Sequence, residues 1–138
     1  MIVKRGSNPD TVAGGKGLFS QMYEVENATV SKTVFISGQV AWDADGNVVG
    51  AGDLRAQFIQ TYENLRSLTA SAGGGLDDIV QLRTYLTDRQ LLGEFRSIRN
   101  ELYPSLFPSG AYPTNTLLIV DGLADPDLLL EVEAIAVL

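Results

Sequence analysis

Glu131 lies between Leu130 and Val132 in an alternating run, Leu128 to Val137, that reads as a strand. A carboxylate on a strand that will be covered is costly unless it is paired or used. Glu131 is therefore a candidate to hold and polarise a water, with a structural salt bridge across a subunit interface as the rival reading. Glu133, on the same strand face, fits the interface role better. The chain contains no histidine and no cysteine. This removes Ser-His-Asp and Cys-His catalysis, His-ligated metals, thiolate zinc and any disulfide framework. A general base must be a carboxylate, a lysine, a tyrosine or a water held by one of them.

An all-carboxylate Mg or Ca site is still open to such a chain. Asp43-Ala44-Asp45-Gly46-Asn47 looks like half of a calcium loop, but it lacks the glutamate that closes one. A hairpin turn is the better reading, and neither a metal nor a cofactor is expected. The net charge is −7, from 10 basic and 17 acidic side chains, with no cluster of Lys and Arg along the chain. Phosphate backbones are bound by basic patches, so nucleic acid is not an expected partner. Length favours one domain over residues 1–138. No apolar run reaches the roughly 18 residues of a membrane span, and Met1 to Ser20 lacks a signal-peptide core. A soluble cytoplasmic protein without a membrane partner is the expectation.

The elements that must position these residues follow from periodicity. Leu18 to Val25 and Thr29 to Ser37 read as strands rich in β-branched and aromatic residues, with Glu26-Asn27-Ala28 as the turn between them. Asp53 is a plausible N-cap for a helix reaching about Ala72. Leu54, Phe58, Tyr62, Leu65 and Thr69 form its apolar stripe, and Gly73-Gly74-Gly75 stops it. Asp77 to Thr87 is a strand with Val80, Leu82, Thr84 and Leu86 on one face and Gln81, Arg83, Tyr85 and Thr87 on the other. A second helix runs from about Arg89 to Tyr103, buries Leu91, Phe95, Ile98 and Leu102, and ends at Pro104. Thr114 to Val120 and Leu128 to Val137 make the last strands. The order implies an α+β fold, a mixed sheet with two helices on one face. Leu129, Ile135 and Val137 share the second face of the last strand with the two glutamates, so that face needs another cover. A partner subunit is the simplest.

Pro113-Thr114-Asn115-Thr116, Glu131-Val132-Glu133-Ala134-Ile135-Ala136, Ile36-Ser37-Gly38-Gln39-Val40 and the stretch from Gly52-Asp53 to Leu86-Thr87-Asp88 together resemble the Rid (YjgF-type) family of small enamine/imine deaminases. The resemblance spans about Leu18 to Val137. It implies a chorismate-mutase-like Rid fold, a homotrimer with the sheets packed inward, and a small-molecule pocket at each subunit interface. In that family an arginine pairs with a substrate carboxylate through two parallel bonds, water attacks the imine carbon, and ammonia leaves. By this likeness Ser37, Gly38, Phe19, Arg99, Asn115 and Thr116 bind substrate and Glu131 is catalytic. Phe19 stands where tyrosine is usual, and Asn115 stands where the arginine is expected.

Each assignment has a plain alternative. Gly38 could permit a bend or close packing, Ser37 could satisfy a strand end, Phe19 could fill core or interface, and Arg99 could be a solvated helix arginine. Asn115 offers hydrogen bonds but no charge. Losing a charge-assisted pair typically costs about 1.5–3 kcal/mol or more, roughly ten- to a hundredfold in binding or rate. Rescue requires another cation, with Arg99 a better candidate than Arg83. Two readings follow, a deaminase-like hydrolase of a reactive enamine, imine or related unsaturated amino compound, and a non-catalytic ligand-binding or regulatory trimer. An electropositive pocket fed by Arg99 would favour the first on an acidic substrate. A nucleic-acid-processing role comes third, against the acidic balance.

Overall fold

The computed structural model describes residues 3–7, 19–20, 22–26 and 32–138. Leu18, Gln21 and residues 27–31, which the sequence reading placed in two strands and the turn between them, lie outside the described residues. Strands β1 (Val3–Ser7) and β2 (Met22–Glu26) pair antiparallel with each other. β3 (Thr33–Gln39), β4 (Ile79–Leu86), β5 (Thr114–Ile119) and β6 (Leu130–Val137) form a mixed sheet in the order β3-β6-β4-β5. Helix α1 (Leu54–Ser71) joins β3 to β4, and α2 (Leu92–Leu106) joins β4 to β5.

The topology explains why both helices share a face. β6 runs antiparallel to β3 and to β4, so β3 and β4 are parallel, as β4 and β5 are directly. Both helical crossovers therefore link parallel strands and advance the same way across the sheet. Crossovers of one hand must then lie on one side. Leu82, Leu86, Leu130, Val132 and Ala136 meet Phe58, Tyr62, Leu65, Phe95 and Ile98 in one core. Its aromatic part is tightly arranged, with Phe58 and Tyr62 stacked at 4.5 Å and Tyr103 edge-on to Phe107 at 5.0 Å.

Local signals set most boundaries. Asp53 caps α1 by accepting the Ala56 N–H at 3.0 Å. Past its end Gly73 takes a left-handed φ of +98° that other residues adopt only at a cost. The Asp43–Asn47 segment is the expected turn. Asp43 Oδ1 accepts the N–H groups of Asp45 and Asn47, and Trp42 bridges Val48. Buried Gln57 donates to the carbonyls of Gly50 and Asp127 and accepts from the Leu129 N–H, tying the loop before β6 to α1.

The structure corrects the reading in four places. Among the described residues β2 pairs with β1, a strand that reading omitted. β4 begins at Ile79, after a 3-10 turn over Leu76–Asp78. A second 3-10 turn, Arg89–Leu91, precedes α2. Pro104 does not end α2, which continues to Leu106. Its ring removes the N–H that would bond the Asn100 carbonyl, but the following turn survives because the Phe107 N–H donates to Tyr103 O at 2.8 Å. Among the described residues no helix is long and apolar enough to cross a membrane.

Neighbouring positions on α1 give a direct test of this packing. Phe58 is 0% exposed and Ile59 is 45% exposed. Phe58→Ala is expected to lower unfolding free energy by about 3–5 kcal/mol in urea titrations, against under about 1 kcal/mol for Ile59→Ala.

Candidate functional site

The strand register divides the candidate residues between two faces of the sheet. Leu82, Thr84 and Leu86 face the helices, and Asn115 lies beside Leu82 in the parallel β4–β5 pair. Asn115 Oδ1 accepts from Thr84 Oγ1 at 2.8 Å, which fixes the amide on the helix side and leaves its NH2 group to donate. Thr116 lies beside Arg83, on the opposite face. Glu131 and Glu133 lie beside Tyr85 and Arg83 on that same open face. The chain thus separates Asn115 from Glu131 by the thickness of its sheet.

On the helix side, at the β5 edge, a cleft of about 780 Å³ brings together Phe19, Arg99 and Asn115. Ser20 delivers Phe19 there. Its N–H donates to Pro113 O at 3.2 Å and its hydroxyl to Tyr112 O at 2.6 Å, which fastens this segment to the start of β5. Arg99 is only 8% exposed, and its Nε is buried without a hydrogen-bond partner among the described residues. The guanidinium carbon lies 6.0 Å from the Phe19 ring centre and 5.7 Å from that of Phe95. Cation–π contact of this kind offsets part of the desolvation cost, by about 0.5–2 kcal/mol. Behind it the Tyr62 and Tyr103 hydroxyls bond each other at 2.6 Å. Burial holds both phenols neutral and pushes the Tyr103 pKa up to about 12, while the charge of Arg99 acts in the opposite sense.

Arg89, Arg96 and Asn100 also line this cleft, over an apolar floor of Leu92, Leu117 and Ile119. The reading of the sequence missed all three polar residues. Their signal was present, because Arg89, Leu92, Arg96, Arg99 and Asn100 recur at helical spacing. The alternative of a solvated Arg99 is excluded by its burial.

The open face carries a second cleft of about 310 Å³, lined by Gly38, Tyr85, Glu131 and Glu133 among others. β3 bulges between Ile36 and Gln39, and the bulge sets Gly38 against Glu131. A Cβ at Gly38 would lie 1.9 Å from Glu131 Oε1 and 2.8 Å from its Cδ, so the glycine makes room for the carboxylate. Ser37 is exposed, and its carbonyl accepts from Gln39 Nε2 at 3.1 Å. Glu133 is satisfied within the chain. It accepts a hydrogen bond from the Tyr85 hydroxyl and pairs with Arg83 at 3.4 Å. Arg83 is therefore engaged on the open face and does not reach Asn115. The bond to Glu133 pushes the Tyr85 pKa up, whereas burial and then the charge of Glu133 push up that of Glu131. Among the described residues no group of acidic side chains could hold a metal ion.

Residues 18–138 match the family described as Endoribonuclease L-PSP (Ribonuc_L-PSP). A RutC family protein of Pyrococcus abyssi, PYRAB12510, is 32% identical over 120 residues, which cover 87% of this chain and 86% of the relative. Among solved structures, YyfB of the conserved Rid protein family from Yersinia pestis superposes with a TM-score of 0.86 at 34% identity, covering 98% of each chain. RidA from the Antarctic bacterium Psychrobacter sp. PAMC 21119 gives a TM-score of 0.67 at 29% identity, over 83% of this chain and 88% of that one.

Glu131 supplies a pH test. Its native pKa is raised, so its contribution to stability is present below the ordinary glutamate range and lost as pH rises through the raised value. Glu131→Gln abolishes this titration. The variant is expected to gain stability relative to the parent near about pH 7 and to lose that advantage below about pH 4, measured by urea unfolding across the range.

Proposed function

Because the chain belongs to the Ribonuc_L-PSP (YjgF/Rid/RutC) family, we propose that it is a deaminase-like hydrolase acting on a reactive enamine, imine or related unsaturated amino compound that carries an acid group. The observation that supports this most is Arg99, buried, unpartnered at Nε and in the same cleft as Phe19 and Asn115. The cation that the resemblance places on β5 is here supplied from α2. Arg99 binds the substrate carboxylate, the Asn115 NH2 group adds a neutral donor, and the Phe19 ring packs against the unsaturated carbon skeleton.

Hydrolysis requires a water at the imine carbon. Its addition forms a C–O bond, and departure of ammonia with the C–N electron pair leaves a carbonyl product. Glu131, a carboxylate biased towards holding a proton, suits the transfer between water and leaving group. Since Glu131 opens on the other sheet face, it reaches an Arg99 cleft only from a neighbouring copy. The working unit is accordingly a cytoplasmic homotrimer of this one domain, with sheet faces turned inward and Ser37, Gly38 and Thr116 on the side presented to the neighbour. Phe35, 77% exposed on the Glu131 face, is an apolar group that such packing would cover. Although the family description names an endoribonuclease, the net charge of −7 weighs against a nucleic-acid ligand.

The separation of Glu131 from Asn115 within a protomer favours a second reading, a trimer that binds a small acid without turning it over. Ammonia release from freshly generated imino acids decides between them. The parent protein is expected to accelerate release, Glu131→Ala to abolish the acceleration, and Arg99→Gln to lower kcat/KM roughly ten- to a hundredfold. No acceleration by the parent, with activity appearing only in Asn115→Arg, would reject hydrolysis of such acids and leave the binding role.

A further inference from the structure

Three of the chain's 10 basic side chains, Arg89, Arg96 and Arg99, line the helix-side cleft, and among the described residues no aspartate or glutamate lines it with them. Other arginines are matched to acids. Arg55 makes a two-pronged pair with Glu101 at 2.7 and 2.9 Å, Arg66 meets Glu63 at 3.2 Å, and Arg83 meets Glu133 at 3.4 Å. The three in the cleft have no ion-pair partner among the described residues, and Arg99 keeps a buried, unpartnered Nε there. Like charges one helical turn apart repel, and a protein with excess acid could readily have neutralised them. The arrangement is relieved when anions enter.

One carboxylate saturates one guanidinium, because the planar fork takes both of its oxygens. It would leave two cations of this cleft without a partner. A volume of about 780 Å³ also exceeds what a three-carbon acid fills and lies in the usual range for ligand pockets. Leu92, Leu117 and Ile119 give the same cleft an apolar part, which suits a short hydrocarbon spacer. Resting on the reading of this cleft as the acid-binding site, we propose that its ligand carries two acidic groups. Arg99 and Asn115 hold the first, and Arg96 with Arg89 reads the second. The second group is a carboxylate or a phosphate, since both present the oxygens that a guanidinium takes in pairs.

Binding calorimetry on the full chain at low salt separates these cases without requiring turnover. The probes are succinate for the dicarboxylate, phosphoglycolate for the phosphorylated acid and butyrate for the single acid. At least one dianion is expected to bind about tenfold or more tightly than butyrate, and the tighter of the two identifies the second group. Arg89→Gln and Arg96→Gln, both at exposed positions, should bring dianion affinity towards that of butyrate, with a much smaller loss for butyrate itself. Arg99→Gln should weaken all three. Equal affinity for butyrate and both dianions, a preference that survives in the Arg89→Gln/Arg96→Gln double variant, or no binding of any probe would overturn the inference. A retained dianion preference in a protein that releases no ammonia would sink only the hydrolase reading.

Discussion

β6 lies between β3 and β4 and runs antiparallel to both, and the placement of the open-face candidates depends on this strand. Successive side chains on a strand point to opposite faces, so Leu130, Val132, Ala134 and Ala136 go under the helices while Glu131, Glu133 and Ile135 go to the open face. A shift of one residue would put both glutamates into an aromatic and aliphatic core, at a desolvation cost no partner there could offset. The register is further held by Arg83 and Tyr85, which engage Glu133 across the β4–β6 pair. The β3 bulge breaks regular pairing only at Ser37 and Gly38, where the absent side chain leaves space for the Glu131 carboxylate.

The helix side follows a different logic. α2 buries Phe95, Ile98 and Tyr103 and, between them, Arg99. A guanidinium is tolerated there because it lies near two aromatic rings and ends in a cleft. The paired hydroxyls of Tyr62 and Tyr103 form a neutral polar backing that neither cancels the charge nor donates a proton at ordinary pH. The neutral Asn115 amide is anchored by Thr84, so strand β5 contributes geometry and helix α2 contributes charge. Substitution of the strand arginine expected from the family likeness thus leaves the cleft cationic.

Much of the fold was legible along the chain. The stripe from Leu54 to Thr69 follows helical period, and Asp53 and Gly73 mark its ends by local chemistry. β6 alternates from Leu130 to Ala136 and β4 from Leu82 to Leu86, but β4 shifts register between Ile79 and Gln81, so Ile79 enters the core where the sequence pattern placed Val80. Pro104 was misleading because a proline late in a helix removes one hydrogen bond without preventing the next turn. The pairing of β2 with β1 was not legible, since strand partners are chosen by distant chain segments and Val3–Ser7 carries little apolar pattern of its own.

The sequence by itself determined both helices, the strands of the main sheet, the family likeness, the exclusion of histidine and cysteine chemistry, and the presence of a carboxylate at a costly strand position. Those features are local, set by residue identity, period and caps. Tertiary structure alone decided that Arg99 is buried beside Asn115, that Arg89 and Arg96 join it, and that Glu131 opens on the opposite face. Each depends on how α2 crosses β5 and on which side of β4 the strands pair. Burial and charge proximity are properties of packed neighbours that are far apart in the chain.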